Sequence, residues 1–428
     1  MSKHKILLIA YKFPPFAGVG CFRWTKLTKY LAKLGHEIHV ITVDWNQLGV
    51  NTFISDVSSE NITIHKIASN YPYNLKHKQY KNRSINFLKN SFVELLEKAI
   101  FWDDEAQHWG DQLVPYAIDL IKELNIPTVI ATGHPFNANY WAAQIKKELP
   151  ELSLIQDFRD PWVQHKLKRY SSIKRKKIAQ SRMIESIKYA DAVVTVTSGL
   201  SDIYRESARN KIKVLPSFIT ISNGYDEDDM PSSYVERTPT LKDRIVITHI
   251  GSISNRRDIP CCKFLDYIAN TNFSFPILIQ FAGSSLPDSI MQKYQHLFDA
   301  GICIYKGMMS PQDAYLLVAQ SDFALQLNAD IVPYLVSTKI FEYAGISVPT
   351  ISLNYGGDIE ALIHTHNLGV SINLNTPNAI QRLDKAFNTS TQYSFDITQY
   401  SYTNLALQYS KLISDTLKQS NLVEPSYD

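Results

Sequence analysis

The sequence predicts an α/β protein built from two doubly wound, Rossmann-like domains with parallel sheets, and two observations support this fold class. Short apolar runs alternate with longer amphipathic stretches along the whole chain, which is typical of parallel strands connected by helices. The charge also divides: residues 1–215 hold 31 Lys and Arg against 20 Asp and Glu, whereas residues 216–428 hold 13 against 21. A net charge of +11 in one half and −8 in the other, within a total of +3, favours two domains with different partners.

Twelve short apolar runs are the candidate strands. Most of them are rich in β-branched residues and apolar at both parities, as expected for parallel strands that helices cover on both faces. In chain order the runs are Lys5–Tyr11, Glu37–Val43, Ile62–Ile67, Thr128–Thr132, Ser153–Phe158, Ala192–Thr197, Ile245–Ile250, Ile277–Ala282, Gly301–Tyr305, Phe323–Leu327, Thr350–Leu353 and Val370–Leu374. Helix-length segments such as Trp24–Leu34 and Pro311–Gln320 separate them, and Ser310 before Pro311 is typical of a helix N-cap.

A turn-rich segment marks the expected domain boundary. Residues 213–231 contain two prolines, an Asn-Gly turn and four consecutive acidic residues. We therefore predict an N-terminal domain over 1–215, a C-terminal domain over 216–400, and a final helix within 401–428 that packs back on the N-terminal domain. Ligands of such folds bind at the carboxyl ends of the strands, so we expect the site in a cleft where the two domains face each other.

The composition excludes several classes of protein. The cysteines are Cys21, Cys261, Cys262 and Cys303. They are too few to stabilise a chain of 428 residues by disulfide bonds and lack the spacing of metal ligands, so we expect a cytoplasmic protein with neither a metal nor another cofactor. The first apolar run is too short for a signal peptide, and no run reaches the roughly 18 apolar residues of a transmembrane helix.

A glycine-containing loop follows the first predicted strand. Gly18 and Gly20 allow a ligand to approach the backbone, and the helix that begins near Trp24 would present its positive N-terminus to an anion. The spacing argues against a nicotinamide site, because the first glycine of that fingerprint directly follows the strand and a third glycine closes it. Here two prolines intervene, and Arg23 stands at the third position. A plain turn between strand and helix is the alternative interpretation.

Three motifs occur in order along the chain. The first is F-P-P-x-x-G-x-G-x-x-R at 13–23, followed by L-x-x-x-G-H-E-I-H-V-I-T at 31–42. The second is D-F-R-D-P-W at 157–162, and the third is S-T-K-I-F-E-Y-A-G-I-S-V-P-T-I at 337–351. Together they resemble family 4 glycosyltransferases of the GT-B fold, and the second resembles a segment of the bacterial branch that builds surface polysaccharides. The resemblance covers about residues 5–390 and implies transfer of a sugar from a nucleotide donor with retention of configuration.

The third motif carries residues expected to hold the donor. Lys339 and Glu342 lie three residues apart, so they share one face of a helix that Ser337 or Thr338 caps, leaving backbone N–H groups for phosphate. The resemblance implies that Glu342 accepts the ribose hydroxyls, and Lys339 supplies a cation at the diphosphate; a surface ion pair is the alternative. Many family members carry a second glutamate eight positions earlier, which contacts the sugar, but this chain has Tyr334 there.

Two further loops of the C-terminal domain are expected to contact the donor. Gly251 follows the first strand of that domain and allows phosphate to approach the backbone, and Arg256 or Arg257 is placed to clamp it through paired hydrogen bonds. The sequence does not distinguish the two arginines, and at least one is expected to be solvated. Lys306 and Gly307, followed by two methionines, resemble the loop that holds the nucleobase, although methionines suit plain packing equally well.

Four residues of the N-terminal domain are candidates for contacts with the sugar or the acceptor. His134 ends a strand at the expected cleft edge, and the resemblance implies a contact with the donor sugar; a structural histidine is the alternative. Asp157, Arg159 and Asp160 end the next strand and suggest binding of acceptor or sugar hydroxyls. The alternative is an ion-pair network of Arg159 that stiffens the loop.

Two segments of the N-terminal domain interleave basic and aromatic residues. They are residues 71–89, with Lys76, Lys78, Lys81, Arg83 and Lys89, and residues 165–177, with Lys166, Lys168, Arg169, Lys174, Arg175, Lys176 and Lys177. Such segments suit an anionic membrane surface. Nucleic acid is a less suitable partner, because the second half of the chain is acidic and no recognition motif occurs; solvated helix faces are the plain alternative.

These features predict a hexosyltransferase that moves a sugar from a UDP- or GDP-linked donor to a glycan or lipid-linked glycan at the inner membrane face, in the biosynthesis of lipopolysaccharide or capsule. Catalysis is expected to rest on stabilisation of the leaving diphosphate. A nucleotide-sugar epimerase of the same fold and a nucleotide- or glycan-binding protein without turnover are the alternatives. A nicotinamide-dependent oxidoreductase is the least suitable one.

Overall fold

The computed structural model describes residues 2–16, 18–45, 54–164, 170–231, 243–254, 256–284, 286–332, 334–388, 393 and 396–422. Two compact units divide the chain. Unit 1 comprises Met1–Ser222 together with Tyr402–Asp428, and unit 2 comprises Asn223–Ser401. Each unit contains one sheet of parallel strands, which confirms the predicted α/β class with two Rossmann-like folds.

Unit 1 is built on a seven-stranded parallel sheet. Its strands are β1 (Lys5–Ala10), β2 (Glu37–Val43), β3 (Ile62–Ile67), β4 (Thr128–Gly133), β5 (Ser153–Phe158), β6 (Ala192–Thr195) and β7 (Ser217–Thr220). Their spatial order is β3-β2-β1-β4-β5-β6-β7, so the order reverses between β1 and β4. The apolar runs predict the first six strands. The seventh strand was not predicted, because it is a four-residue edge strand with both terminal residues exposed. Unit 1 therefore extends beyond the predicted boundary at residue 215, to Ser222.

Eight helices are described in unit 1. They are α1 (Val19–Lys33), α2 (Tyr73–His77), α3 (Arg83–Ala99), α4 (Gly110–Leu124), α5 (Asn137–Glu148), α6 (Ile173–Lys188), α7 (Ser198–Arg209) and, from the C-terminal end of the chain, α15 (Tyr402–Leu422). The last of these packs against α1, where the rings of Trp24 and Tyr409 lie 5.1 Å apart edge to face. Tyr402, Leu405 and Ile413 are buried on the same side of the sheet.

Both faces of the unit 1 sheet are covered. Alternate residues of β1 belong to different apolar clusters, with Leu7 and Ile9 on one face and Ile6 and Leu8 on the other. This alternation explains why the strand sequences are apolar at both parities. No helix of the described residues combines the length and the hydropathy that a membrane span requires.

Unit 2 is built on a six-stranded parallel sheet. Its strands are β8 (Ile245–Ile250), β9 (Ile277–Ala282), β10 (Cys303–Tyr305), β11 (Phe323–Leu327), β12 (Thr350–Asn354) and β13 (Gly369–Asn373). The spatial order is β10-β9-β8-β11-β12-β13, so the order reverses between β8 and β11. All six strands correspond to predicted runs, because every one of them has a largely apolar sequence between turn residues.

Seven helices are described in unit 2. They are α8 (Asp258–Asn270), α9 (Asp288–Lys293), α10 (Gln295–Asp299), α11 (Pro311–Ala319), α12 (Lys339–Gly345), α13 (Asp358–Thr365) and α14 (Arg382–Asn388). The predicted N-cap of α11 is confirmed, since the hydroxyl of Ser310 accepts a hydrogen bond from the backbone N–H of Asp313 at 3.1 Å. All four cysteines are free thiols, as the sequence predicts.

Candidate functional site

Three loops at the carboxyl ends of β8, β9 and β10 form the first part of the candidate site in unit 2. The backbone N–H of Gly251 donates to the carbonyl of Ala282 at 2.6 Å, and that of Gly283 donates to the carbonyl of Gly307 at 2.8 Å. A Cβ atom built on Gly283 would lie 2.5 Å from the carbonyl carbon and oxygen of Gly251. Glycine is therefore required for this close approach of two backbones. The predicted residues Gly251 and Gly307 thus belong to one edge of the sheet.

Helix α12 places Lys339 directly against Gly251. A Cβ atom on Gly251 would lie 2.4 Å from the Nζ and 2.8 Å from the Cε of Lys339. The backbone N–H of Lys339 donates to the Oγ of Ser337 at 3.4 Å, whereas Thr338 makes no side-chain cap. Because α12 has only seven residues, its backbone dipole is short, and we attribute the anion-binding capacity of this edge to side chains.

The charges at this edge are predominantly positive and partly buried. Burial and the nearby guanidinium of Arg257 lower the pKa of Lys339 to about 8. Burial raises the pKa of Glu342 to about 7, although Lys339 and a hydrogen bond with Tyr315 oppose that rise. Neither Lys339 nor Arg257 forms a salt bridge with a carboxylate among the residues that the structure describes. A bound anion would therefore relieve the repulsion between these two cations.

The structure distinguishes the two arginines that the sequence left equivalent. Arg256 is exposed and forms a bidentate pair with Asp330, with Nε–Oδ1 and Nη2–Oδ2 distances of 2.8 and 2.5 Å. Arg257 is partly buried, which lowers its pKa, and its charge acts on Lys339. Arg257 is thus the arginine that shares the interior of the site with Lys339.

A buried histidine, which the sequence reasoning missed, completes this cluster. His249 lies near the end of β8, and its Nδ1 donates to the carbonyl of Leu325 at 2.8 Å. Its Nε2 has no hydrogen-bond partner among the described residues. Burial first, and then the charges of Lys339 and Arg257, lower its pKa to about 3, so the ring is neutral at physiological pH. The sequence signal that could have identified His249 is the presence of a histidine inside the otherwise apolar run Ile245–Ile250.

The loop after β10 is held by contacts with backbone groups, whereas the side chains of Lys306 and Met308 are exposed. The hydroxyl of Tyr305 donates to the carbonyl of Gly283 at 2.9 Å, which ties β10 to the neighbouring loop. Lys306 is exposed, and its backbone N–H donates to the carbonyl of Phe281 at 2.8 Å. Met308 is 76% exposed and so does not pack in the core, whereas Met309 packs on an apolar cluster.

In unit 1, Arg159 reaches the glycine loop that follows β1. Its guanidinium donates to the carbonyl of Gly20, and a Cβ atom on Gly20 would lie 3.4 Å from the Nη2 of Arg159 and 3.5 Å from the Cδ of Lys12. Asp160 is exposed and lies 3.6 Å from the Nε of Arg159. Gly18 is the N-cap residue of α1 and has an extended backbone. The structure therefore brings together Gly20, Arg159 and Asp160 at the switch between β1 and β4.

Asp157 lies in the interior of unit 1 rather than at its surface. Its Oδ2 accepts from the Nε of Arg23 at 3.3 Å and from the indole N–H of Trp24, and both charged side chains are almost fully buried. Arg23 also donates to the carbonyls of Ile221 and Ser222, at 2.8 and 2.5 Å, and to the hydroxyl of Tyr409 at 3.1 Å. In this position Asp157 holds α1, β5 and α15 together and is not exposed to a sugar or an acceptor.

His134 directly follows β4 and is half-buried. Its ring packs edge to face on Phe136 at a centroid distance of 5.6 Å, and Phe136 stacks on Trp162 at 5.2 Å. Trp162 belongs to the D-F-R-D-P-W motif, so His134 and that motif are joined through one aromatic cluster. Of the two basic segments, Lys166, Lys168 and Arg169 lie outside the described residues.

The comparisons with known proteins concern the fold. No protein-family model matches this sequence, and no curated protein is significantly similar to it. Among solved structures, a glycosyltransferase from Rickettsia africae matches with a TM-score of 0.63 at 17% identity, covering 98% of this chain and 100% of its own. HepE from Anabaena, in complex with UDP and glucose, matches with a TM-score of 0.55 at 15% identity, covering 97% and 100%.

A third match is a Listeria monocytogenes protein assigned as a UDP-N-acetylglucosamine 2-epimerase. Its TM-score is 0.58 at 12% identity, and the alignment covers 98% of both chains. The two parallel α/β sheets of seven and six strands thus have the GT-B fold, as the sequence resemblance predicts. The chain is structurally similar to nucleotide-sugar glycosyltransferases over nearly its whole length, and at these identities the similarity is one of fold.

Proposed function

We propose that this protein is a glycosyltransferase that uses a nucleotide-linked sugar and binds the donor diphosphate in unit 2 through Lys339 and Arg257. The observation that carries the proposal is a pair of partly buried cations, Arg257 and Lys339, the second of them directly beside Gly251, at the point where the strand order of unit 2 reverses. Ligands of doubly wound sheets bind at such switch points. Two adjacent cations without a salt-bridged carboxylate fit the two negative charges of a nucleoside diphosphate ester.

The chemistry of transfer requires this charge arrangement. The bond between the anomeric carbon and the diphosphate oxygen breaks, and negative charge accumulates on the leaving diphosphate. Arg257 offers a planar set of N–H donors and Lys339 a compact ammonium, and both are already in a site of low polarity. The neutral imidazole of His249 adds no further positive charge. Glu342, on the same helix as Lys339, is suited to accept hydrogen bonds from the two ribose hydroxyls.

The finer assignments rest on the sequence resemblance. We propose family 4 membership, retention of configuration, and a UDP- or GDP-linked donor with a glycan or lipid-linked glycan acceptor in surface polysaccharide synthesis. In unit 1 we propose His134, Arg159 and Asp160 as contacts of the sugar or the acceptor, and we assign Asp157 a structural role. We also propose that unit 1 contacts the cytoplasmic face of an anionic membrane, because a lipid-linked acceptor is expected at that face.

The test is a thermal-shift panel of UDP, GDP, ADP, CDP and dTDP and their sugars, on the wild-type protein and on Glu342→Ala. At least one nucleoside diphosphate should raise the Tm, and the shift should shrink by more than half in the variant if Glu342 binds the ribose. The control substitution is Glu206→Ala, because Glu206 of α7 is exposed and lies in unit 1, away from the proposed nucleotide site. The absence of stabilisation by every nucleotide contradicts the proposal.

An epimerase is the second candidate, and the Listeria monocytogenes match of nearly full coverage favours including it. An epimerase converts the donor sugar without any acceptor, whereas a transferase releases nucleoside diphosphate in step with acceptor glycosylation. Analysis of the recovered nucleotide sugar after incubation without acceptor separates the two activities. A binding protein without turnover would give nucleotide stabilisation but neither product.

A further inference from the structure

Helix α3 of unit 1 exposes an apolar stripe to solvent. Ile85, Leu88, Phe92 and Leu95 are 46%, 67%, 51% and 60% exposed. Their spacing of three, four and three residues places them on one face of the helix. Four large apolar side chains in a continuous row form a feature that monomeric proteins rarely leave in contact with water.

The orientation of α3 is fixed by an adjacent side, about 100° around the helix axis from the stripe. Lys89 and Val93 are the buried residues of the helix. The ammonium of Lys89 donates to the carbonyls of Lys76 and Lys78, at 3.1 and 2.8 Å, and thereby ties α3 to the segment that contains α2. The stripe is consequently exposed because the helix is anchored by another face, and not because the helix is detached from unit 1.

The beginning of α6 extends the apolar surface at the C-terminal end of α3. The guanidinium of Arg175 donates to the carbonyl of Ala99 at 3.4 Å, which holds α6 beside the last turn of α3. Ile100 and Ile173, one from each segment, are 45% and 78% exposed. The two segments therefore contribute to one surface, which we call the α3–α6 surface.

Cations surround the α3–α6 surface. The residues are Lys81, Arg83, Lys174, Lys176 and Lys177, all exposed and without a salt bridge to any described residue. The nearby carboxylates are already engaged: Glu94 pairs with Lys98 at 2.5 Å, and Glu97 pairs with Lys76 at 2.8 Å. The carboxylate of Asp103 accepts from the backbone and hydroxyl of Ser171 at 3.0 Å. These five cations outnumber the carboxylate of Asp103, whose partners in Ser171 are neutral, so the net uncompensated charge around the stripe is positive.

We infer that α3 lies in the plane of an anionic lipid bilayer, with Ile85, Leu88, Phe92 and Leu95 inserted among the acyl chains and the surrounding cations on the phospholipid headgroups. An apolar stripe bordered by Lys and Arg is the pattern of interfacial helices, and a helix of 17 residues with charges on its other faces lies on a membrane rather than across it. The inference rests on the membrane contact in the proposed function and names the element that makes it.

The experiment is vesicle flotation of the full-length protein at low salt, with phosphatidylcholine vesicles containing 30–40% phosphatidylglycerol (roughly the anionic content that gives a strong surface potential) and with phosphatidylcholine alone. The test variant is Leu88→Ser combined with Phe92→Ser. The matched control is Phe87→Ser, because Phe87 is 70% exposed on the same helix but projects about 100° away from its neighbour Leu88. Lys174→Gln combined with Lys177→Gln probes the cations.

Wild-type protein should float with the anionic vesicles, and the Leu88/Phe92 variant should bind at least tenfold more weakly. Phe87→Ser should bind within twofold of wild type, and the Lys174/Lys177 variant should lose most of the salt-sensitive part of the binding. All variants should keep the wild-type thermal shift with nucleotide, because the substitutions lie in unit 1 and the diphosphate site lies in unit 2.

Two outcomes overturn the inference. If the Leu88/Phe92 variant floats as well as wild type, α3 does not contact lipid, and another surface of the protein does. If wild type fails to float but sediments as an oligomer that the same variant dissociates, the stripe is an interface between copies of this chain. Neither outcome concerns nucleotide binding. The thermal-shift panel tests the transferase proposal independently of flotation.

Discussion

At the scale of single residues, the candidate site is defined by charged side chains that form no salt bridge with a described residue, in contrast to neighbours that do. Lys339 and Glu342 could be selected from the sequence, because their spacing and motif context point to one helix face. The choice between Arg256 and Arg257 could not, since adjacent residues in a loop differ only in the direction that the backbone gives them. His249 was hidden inside a strand, where a polar residue looks like an interruption of an apolar run.

The two arginines give a matched pair of substitutions. Arg257→Ala should weaken binding of a nucleoside diphosphate by about 10- to 100-fold, because a charge-assisted contact with phosphate contributes roughly 1.5–3 kcal/mol. Arg256→Ala should leave affinity within about threefold, since its guanidinium is exposed and already paired with Asp330. Isothermal titration calorimetry measures both. Equal losses in the two variants would contradict the assignment of Arg257.

The pH dependence of donor binding follows from Glu342 and Lys339. Below its pKa of about 7, Glu342 becomes protonated and loses its charge as a hydrogen-bond acceptor for ribose. Above its pKa of about 8, the free site loses the ammonium of Lys339. The charge of Arg257 contributes to the lowered pKa of Lys339, whereas the nearby Asp229 raises the pKa of Glu342 and a hydrogen bond with Tyr315 lowers it.

Affinity for a nucleotide sugar should therefore be highest between about pH 7 and 8 and should fall by up to about tenfold per pH unit on either side. A nucleotide sugar is the suitable ligand because its diphosphate diester keeps the same charge across the range. The measurement is Kd from pH 5.5 to 9.5 for wild type and Glu342→Gln. The acidic limb should disappear in the variant, and its persistence would exclude Glu342 as the group responsible.

At the scale of elements, the close packing of the loops at the strand ends explains why glycine is required at position 251. The backbone of Gly251 has a φ of +100°, and its missing side chain leaves the space that the ammonium of Lys339 occupies. Gly251→Ala should displace Lys339 and reduce diphosphate affinity at least tenfold. Gly301→Ala is the control, because Gly301 also has a positive φ, +68°, but a Cβ there meets no atom within 4 Å.

Gly301→Ala should lower stability by about 1 kcal/mol through backbone strain alone and should bind nucleotide as wild type does. Thermal melts and titration of the same preparations separate the two effects. If both alanine variants lose affinity equally, the loss comes from general destabilisation of unit 2, and the proposed role of Gly251 beside Lys339 is incorrect.

The buried pair of Arg23 and Asp157 is the second feature that belongs to elements, because it joins α1, β5, α15 and the segment after β7. Asp157→Asn should destabilise unit 1 by about 3–5 kcal/mol, since it leaves the Arg23 charge buried without its partner. The exposed neighbour gives the control, Asp160→Asn, with a change of no more than about 0.5 kcal/mol. Chemical denaturation measures both, and a small effect of Asp157→Asn would contradict the structural role assigned to the buried pair.

Sequence patterns predicted most elements for a simple reason. Strands covered on both faces need apolar residues at both parities, and twelve of the thirteen described strands coincide with short apolar runs in the sequence. The features that the sequence did not predict are those that depend on tertiary contacts. The edge strand β7 has exposed ends, and the apolar stripe of α3 has the pattern of an ordinary core-facing helix although it faces solvent.

At the scale of the whole molecule, the opposite charges of the two halves correspond to two different surfaces. The positive half holds the uncompensated cations of the α3–α6 surface, which we expect on an anionic membrane. The negative half holds the partly buried cations Lys339 and Arg257 near the end of β8, where a diphosphate is expected. The net charge of +3 conceals both features.

The most direct test of the central claim is calorimetric titration of UDP and GDP into wild type and Lys339→Met. Methionine keeps the length of the side chain and removes a charge that burial and Arg257 make unfavourable, so the variant should fold with a Tm at pH 7 no lower than that of wild type. The account predicts micromolar binding of at least one diphosphate to wild type and at least tenfold weaker binding to the variant. No binding to wild type, or unchanged binding to the variant, would contradict it.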